Sequence, residues 1–292
     1  MGHGAKTDTL FDEAVNERME FMWGQLVNKM IKLRRLLAVC LVFLISSAFA
    51  QEKNNRNLSL YILMGQSNMA GRGLIDDEFK NESHNRVWMF NSANEWVEAR
   101  HPLHFDKPKV AGVGPGLAFG IKMAEASPDA KIGLIPCAVG GTSIERWQPG
   151  AYDPVTKTHP YDDAAARIKL AMAYGVIKGV IWHQGEANSK PKNSKAYLAR
   201  LAELISRVRE LTGNPDLPFI AGELGRFRPA FVNFNKQLDS IPLIIPHTGL
   251  VSSKGLVHKG DSTHFDGQSA SKLGGRYAEK MIKVQRRSKS IR

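Results

Sequence analysis

The chain has 292 residues, of which 43% are hydrophobic and 23% are charged, and its formal net charge is +12. This composition is typical of a globular protein and excludes a disordered or repetitive chain, while the length allows one large domain with a substantial core. The basic residues are scattered apart from the tail at 283–292, and no nucleic-acid-binding motif accompanies them. We therefore expect a solvated basic surface that suits anionic substrates or envelopes, and no nucleic-acid partner.

The region before residue 51 has the order of a secretory signal peptide. A basic cluster at 32–35 precedes the apolar run 36–45, and Ala48-Phe49-Ala50 then gives a small-x-small cleavage site before Gln51. This order of segments is that of an export signal. An uncleaved membrane anchor is the alternative, although the apolar run is shorter than the ~20 residues of a membrane span.

Three segments of the chain follow from this interpretation. We predict a mis-assigned extension over 1–29 with the true start at Met30, a signal peptide over 30–50, and a single folded domain over 51–292. Export would lead to the periplasm or the medium, without stable membrane insertion after cleavage. Cys137 is then the one cysteine left, so an internal disulfide is excluded, and its apolar neighbours favour a buried small side chain over a catalytic thiol.

Strands and helices alternate along the predicted domain. Short apolar runs predict five strands, at 61–64, 86–90, 131–138, 176–182 and 217–221, with a turn over 91–96. Amphipathic spacing and end signals predict helices at 117–126 and 161–174, one N-capped by Ser194 that ends at Gly213, and one N-capped by Asp266 that runs to about Gln285. This alternation predicts an α/β fold with a parallel sheet and helices on both faces.

Glycine-rich and polar loops follow three of the strands. They are Gly65–Met69 after the first strand, 139–147 after the third, and 183–188 after the fourth. Because the carboxyl ends of parallel strands meet at one edge of a sheet, we expect these loops to converge. The segment 261–265, before the last helix, can join them there.

A serine, a histidine and an acid on these loops have the pattern of a nucleophilic site. Ser67 is the candidate nucleophile, and it needs a base because a serine hydroxyl is a weak acid. His264 is the candidate base, and Asp261, three residues earlier, can orient its ring. Each signal alone is also common in turns without chemical function. Their occurrence together on loops that converge favours the catalytic interpretation.

Hydrogen-bond donors for a developing oxyanion are available on the same loops. The backbone N–H groups of Ser67 and Gly141 and the side-chain amide of Gln184 are the three candidates. Metal binding is weakly supported, because no cluster of histidine, cysteine and acid residues has the spacing of metal ligands.

These loops resemble a known superfamily. Gly65-Gln66-Ser67-Asn68-Met69, Gly140-Gly141-Thr142, Trp182-His183-Gln184-Gly185-Glu186 and Asp261-x-x-His264 are similar to the motifs of the SGNH hydrolases. Within them, the resemblance is to the sialate O-acetylesterase and acetylxylan esterase branch of carbohydrate esterases. It implies a three-layer α/β/α sandwich of flavodoxin type, with a mainly parallel five-stranded sheet. It also implies metal-free, cofactor-free removal of acetyl groups from oligo- or polysaccharides by two-step acyl transfer.

The resemblance assigns roles to individual residues. Ser67 matches the nucleophile, Gly141 the oxyanion glycine, and Asp261 with His264 the rest of the triad, while Gln184 stands where the superfamily has an oxyanion asparagine. Glu186 remains an alternative carboxylate partner for His264. The residues expected on the sugar side are Gln66, Asn68, Arg146, Trp147 and His183. A structural salt bridge for Arg146, a core position for Trp147 and a structural role for His183 are the competing interpretations.

Two other functions stay open at this level. A non-catalytic carbohydrate-binding relative would have no need for all three of serine, histidine and acid. A lipid or aryl esterase of the same superfamily would need a long apolar groove, and no strongly apolar loop provides one. The substrate sugar and the oligomeric state are left undetermined.

Overall fold

A computed structural model describes residues 57–290 of the chain, together with the single positions 19, 22, 23, 29, 30 and 34. The predicted extension over 1–29 and the predicted signal peptide over 30–50 lie outside the described residues apart from those positions. In the part of the chain that is described, no helix combines the length and apolarity needed to cross a membrane.

Seven strands form one sheet in the described domain. They are β1 (Leu58–Gly65), β2 (Val87–Phe90), β3 (Trp96–Glu98), β4 (Lys131–Pro136), β5 (Gly175–His183), β6 (Phe219–Gly222) and β7 (Thr248–Val251). Their spatial order is β3-β2-β4-β1-β5-β6-β7, and all neighbours pair in parallel except the β2–β3 hairpin. The order β4-β1-β5-β6-β7 is the 2-1-3-4-5 order of flavodoxin-like sheets, with β2 and β3 added at one edge.

The prediction of a five-stranded sheet is therefore wrong in strand number, although all five predicted strands are present. β3 has only three residues and completes a hairpin whose turn was predicted over 91–96. β7 is a four-residue strand that contains a threonine and a glycine. Segments this short carry too little periodicity to be distinguished from turns.

Nine helices accompany the sheet within residues 57–290. They are α1 (Ser67–Ala70), α2 (Asp77–Lys80), α3 (Pro115–Ala126), α4 (Pro160–Ala171), α5 (Pro191–Ser194), α6 (Tyr197–Thr212), α7 (Pro229–Leu238), α8 (Ile241–Ile244) and α9 (Gly267–Ser290). The predicted cap by Ser194 is wrong, because that residue ends α5, and α6 starts at Tyr197 without a side-chain cap. The predicted cap by Asp266 is confirmed, since its Oδ1 accepts a 2.7 Å hydrogen bond from the backbone N–H of Ser269.

The core lies in two layers, one on each face of the sheet. Along β1, Leu60 and Ile62 pack with α4, α6 and α7, whereas Tyr61 and Leu63 pack with α3 and α9 on the other face. Burial on both faces is typical of a central strand in a parallel sheet. Cys137 is buried in the first of these layers, and burial raises the pKa of its thiol to about 12. The fold is a three-layer α/β/α sandwich.

Candidate active site

The end of β1 brings Ser67 to the carboxyl edge of the sheet. Gly65 has a φ of +132°, and a methyl group built on it would lie 2.1 Å from the carbonyl oxygen of His183. That same oxygen accepts a 2.9 Å hydrogen bond from the N–H of Gln66. Only glycine allows this close approach between β1 and β5. Ser67 therefore begins α1 at the switch point of the sheet, where its backbone N–H has no partner within the helix.

Ser67, His264 and Asp261 form a hydrogen-bonded line. The Oγ atom of Ser67 lies 2.9 Å from Nε2 of His264, and Nδ1 of the same ring lies 2.6 Å from Oδ2 of Asp261. An ionised carboxylate only accepts, so Nδ1 carries the proton and Nε2 is the acceptor for the serine hydroxyl. In this tautomer the imidazole is arranged to take a proton from Ser67.

Asp261 is held as a carboxylate. Partial burial acts to raise its pKa, but hydrogen bonds from the backbone N–H and the ring of His264 and from the N–H of Thr263 outweigh this and hold the pKa well below its usual range. The two N–H donors lie 2.8 and 2.9 Å from Oδ1. The carboxylate is thereby fixed in both charge and direction.

Asn68 ties this turn to the nucleophile. Its side chain donates to the carbonyl oxygen of Thr263 at 3.0 Å and to Oε1 of Glu186 at 2.5 Å, and accepts from the N–H of Phe265 at 3.1 Å. The sequence prediction placed Asn68 on the sugar side. The structure instead buries it and uses its amide to join α1 to the residues on either side of His264.

Arg228 holds the same turn from its outer side. Its Nε donates to the carbonyl oxygen of Ser262 at 2.9 Å, and its Nη2 donates to Oγ1 of Thr263 at 2.7 Å. Ser262 has a φ of +54°, which is uncommon for a residue other than glycine. Arg228 was not predicted, because nothing in the sequence around it shows which distant turn its side chain reaches.

Glu186 occupies a different position from Asp261. It is buried beneath Asn68, its Oε2 has no hydrogen-bond partner, and its Oε1 lies 3.8 Å from Nε2 of His183. Burial raises its pKa to about 7, with the hydrogen bond from Asn68 acting in the opposite direction. Asp261, rather than Glu186, is the carboxylate that contacts the ring of His264.

A buried ion pair holds the glycine loop against Ser67. The backbone N–H of Gly140 donates to Oδ2 of Asp106 at 2.8 Å, and Nη2 of Arg72 lies 2.7 Å from the same oxygen. Burial acts to raise the pKa of Asp106, but the bonds from Arg72 and Gly140 outweigh it, so its pKa is lowered. A methyl group built on Gly140 would lie 3.4 Å from Cβ of Ser67. Gly141, with a φ of +93°, comes next in the loop.

Gln184 makes three contacts with protein oxygens. Its Nε2 lies 3.1 Å from Oε1 of Gln66, 3.2 Å from the carbonyl oxygen of Thr142 and 2.8 Å from Oδ1 of Asn188. Its two amide hydrogens are therefore already engaged, and it could donate to an oxyanion only by giving up one of these partners. In this structure Gln184 joins the loops after β1, β4 and β5.

Besides Asn68, three more of the five residues expected on the sugar side are buried and do not face solvent. Trp147 is fully buried against Trp182, with ring centroids 5.3 Å apart, so it is a core residue. His183 is fully buried beside the hydroxyl of Tyr277, and burial lowers its pKa to about 3, so the ring is neutral. Gln66 is 3% exposed and bound to Gln184.

The fifth, Arg146, is partly exposed. It donates to the carbonyl oxygen of Tyr152 at 2.8 Å and lies 3.6 Å from a carboxylate oxygen of Asp153. Arg72 and Asp106, by contrast, were not singled out in the sequence. The one local signal for Arg72 is a charged residue inside the apolar, glycine-rich stretch 69–73. Among the described residues, no group of three or more histidine, cysteine and acid side chains is arranged to hold a metal ion.

Comparison with protein-family models gives one match that spans the described domain. Residues 57–283 match the family described as "Carbohydrate esterase, sialic acid-specific acetylesterase". The chain is also 33% identical over 245 residues to the "Probable carbohydrate esterase At4g34215" of Arabidopsis thaliana, covering 74% of this chain and 86% of that protein.

Solved structures share the same fold. The structure of the Arabidopsis thaliana protein AT4G34215 superposes with a TM-score of 0.68 at 29% identity, covering 78% of this chain and 98% of that one. The crystal structure of NanS gives a TM-score of 0.65 at 18% identity, covering 80% and 99% of the two chains. The similarity to NanS is one of fold.

Proposed function

This chain belongs to the carbohydrate esterase family described as sialic acid-specific acetylesterase, and we propose that it is a serine esterase that removes O-acetyl groups from carbohydrates. The observation that carries this proposal is the hydrogen-bonded line from Ser67 through His264 to Asp261. The substrates would be acetylated saccharides of the acetylxylan or sialic acid type. No cofactor is needed for this chemistry, because the three side chains supply nucleophile, base and counter-charge.

The first half of the reaction acylates the serine. His264 Nε2 takes the proton from Ser67 while Oγ attacks the acetyl carbonyl carbon, and Asp261 stabilises the resulting imidazolium. The carbonyl oxygen becomes negatively charged and accepts hydrogen bonds from the N–H groups of Ser67 and Gly141. The tetrahedral intermediate collapses, the bond to the sugar oxygen breaks, and His264 gives its proton to the departing sugar hydroxyl.

The second half regenerates the enzyme by the same steps with water. His264 accepts a proton from a water molecule, whose oxygen attacks the acetyl-serine. Collapse of the second intermediate breaks the bond to Oγ, and the proton returns to Ser67 as acetate leaves. The backbone donors serve both intermediates, since the oxyanion occupies the same place in each.

Acetate release from a panel of native acetylated glycans tests the proposal, with Ser67→Ala as the blank. We expect at least one acetylated glycan to give acetate with the wild-type protein and none to do so with the variant. Equal release from both proteins would remove Ser67 from the mechanism. Release from long-chain esters only, with none from acetyl esters, would favour a lipid esterase instead.

We propose further that the protein is exported, on the strength of the signal-like sequence over 30–50. N-terminal sequencing of the protein from its native host should then begin at Gln51, and the activity should be recovered from the periplasm or the medium. Recovery of a longer chain from the cytoplasm would contradict this.

A further inference from the structure

A cavity of about 630 Å³ lies beside the loop that follows β4. Its walls come from the segment 104–107, the loop start 136–139, the segment 155–158 and one side of α4. Its volume falls in the range of about 300–1,000 Å³ typical of small-molecule sites. The acyl-transfer steps described above use none of this space.

The glycine loop connects the edge of the cavity to the nucleophile. Asp106 lines the cavity and also accepts the N–H of Gly140, and a methyl group built on Gly140 would lie 3.4 Å from Cβ of Ser67. On the next residue, Gly141, a methyl group would lie 3.7 Å from Nζ of Lys107, another lining residue. Two lining residues, Asp106 and Lys107, therefore adjoin the loop that packs against Ser67.

The lining combines exposed apolar surface with hydroxyl groups. Val155 and Leu170 are 84% and 53% exposed, and Phe105 adds an aromatic side chain to the lining. Thr156 and Thr158 add two hydroxyl groups whose Oγ1 atoms lie 2.8 Å apart. Apolar surface with a few fixed hydrogen-bonding groups suits a sugar ring, which has C–H faces and a rim of hydroxyls.

The walls are ordered before any ligand enters. Oδ1 of Asp153 accepts the N–H groups of Val155 and Thr156, each at 2.9 Å, which fixes the turn that carries both threonines. On the other side, the guanidinium of Arg167 lies 4.6 Å from the ring centroid of Phe105. A site that is already formed loses less entropy on binding.

Two cations of the lining have no carboxylate partner. Within residues 57–290, neither Lys107 nor Arg167 forms an ion pair, whereas Asp106 is paired with Arg72. The ammonium group of Lys107 is exposed and is therefore available to donate to oxygen atoms of a ligand.

We propose that this cavity is the sugar subsite, which holds the glycosyl ring while its acetyl group lies against Ser67. The proposal rests on the proposed esterase function and assigns the sugar to the side of the loop lined by Lys107, Phe105 and Thr156. It differs from the sequence prediction, which placed the sugar on Gln66, Asn68, Arg146, Trp147 and His183.

A bulky side chain introduced into the cavity tests the assignment. Ala166 lines the cavity from an exposed position of α4, so Ala166→Trp should fill it without disturbing the core. Ala199→Trp, at an exposed position of α6 outside the cavity, is the matched control. We expect Ala166→Trp to lower kcat/KM for an acetylated methyl glycoside about tenfold or more and to leave that for ethyl acetate unchanged. An equal effect on both esters, or none on either, would overturn the proposal.

A second pair of variants avoids any effect of bulk on folding. Lys107→Met should raise KM for the acetylated glycoside, whereas Lys109→Met, exposed and outside the lining, should not. Equal KM values for both variants would count against the subsite.

A binding measurement tests the sugar subsite independently of the esterase function. Calorimetry of the acetylated glycoside with Ser67→Ala should show binding that Ala166→Trp abolishes and Ala199→Trp preserves. If the wild-type protein hydrolyses no acetyl ester, the esterase proposal fails, and this titration still decides whether the cavity binds the sugar. Binding unaffected by Ala166→Trp would overturn the subsite even in an active enzyme.

Discussion

The hydroxyl of Ser67 and the imidazole of His264 lie 2.9 Å apart although 197 positions separate them in the chain. The two residues meet because the end of β1 and the start of α9 lie at the same edge of the sheet. Ser67→Ala removes the atom that would form the acetyl-enzyme and should lower kcat for an acetyl ester by about 10⁶-fold. Circular dichroism and the unfolding midpoint should match the wild type. Residual turnover near the wild-type rate would show that another group attacks the ester.

Replacing each candidate carboxylate by its uncharged amide shows which of the two is catalytic. In Asp261→Asn, no ionised acceptor keeps the proton on Nδ1 of His264. We therefore expect kcat to fall by about 10⁴-fold. Glu186→Gln keeps an oxygen that can accept from Asn68, so most activity should remain. Steady-state kinetics on one acetyl ester decide between them. The reverse ranking would assign the catalytic carboxylate to Glu186.

Gly141 is expected to donate its backbone N–H to the oxyanion, and it does so from a backbone conformation that other residues rarely adopt. Alanine at its φ of +93° is strained, and the loop must shift to relieve it, which moves the N–H group. Gly141→Ala should therefore lower kcat by about 10²-fold. Gly213→Ala carries a similar strain at the end of α6, where φ is +64° and no atom crowds a methyl group. That control should lose stability and keep its kcat, whereas equal kcat losses would exclude a specific role for Gly141.

Local spacing was enough to predict part of this site. Asp261 and His264 lie three residues apart in one turn, so their contact could be expected from sequence, as could the position of Ser67 at the sheet edge after a strand and a glycine. The sequence could not show that Trp147 and His183 point into the interior. Burial of a residue in a loop or at the end of a strand depends on which elements cover it, and neither residue type settles that.

Contacts between distant segments explain most of what was missed. Asp106 reaches Gly140 and Arg72 only once the loop after β4 and the segment after α1 come together, and no short motif records that pairing. The edge strand β3 and the strand β7 were missed for a different reason. They are three and four residues long, and their stability comes from neighbouring strands rather than from their own pattern.

Arg228 is expected to act as a positioning residue for His264. Its guanidinium donates to the carbonyl oxygen of Ser262 and to Oγ1 of Thr263, so its loss frees the outer side of the turn. A misplacement of the imidazole by about 1 Å can cost roughly 10²-fold in rate. We expect Arg228→Ala to lower kcat by about 10- to 100-fold with little change in KM, and added guanidinium ion to restore part of the loss.

Arg226 provides the control for this experiment. Arg226 lies two residues before Arg228 in sequence. It is paired with Glu223, and among the described residues it forms no hydrogen bond or ion pair with the turn at 261–264. Hydrogen exchange of the peptide 258–265 should be faster in Arg228→Ala and unchanged in Arg226→Ala. Unchanged exchange in both variants, together with unchanged kcat, would show that the turn holds its position without Arg228.

Glu186 should make stability depend on pH near neutrality. Burial raises its pKa to about 7 in the folded protein, against an ordinary value of 4.5. Between these values the unfolded chain has released the proton that the folded protein still holds. The folded protein is therefore stabilised by its tighter hold on the Glu186 proton. This contribution to the free energy of unfolding is fully present below the ordinary pKa and is lost as the pH rises through about 7.

Replacement of this carboxyl by an amide should remove that dependence. The free energy of unfolding of Glu186→Gln, measured in urea from about pH 5 to about pH 8, should change less than that of the wild type over the same range. The wild type should be relatively more stable at the acid end, where the folded protein still holds the proton of Glu186, and should lose ground towards the alkaline end, where the buried carboxyl must ionise. Glu203→Gln, exposed on α6, should follow the wild-type curve. Parallel curves for Glu186→Gln and the wild type would mean that Glu186 ionises at its ordinary pKa despite its burial.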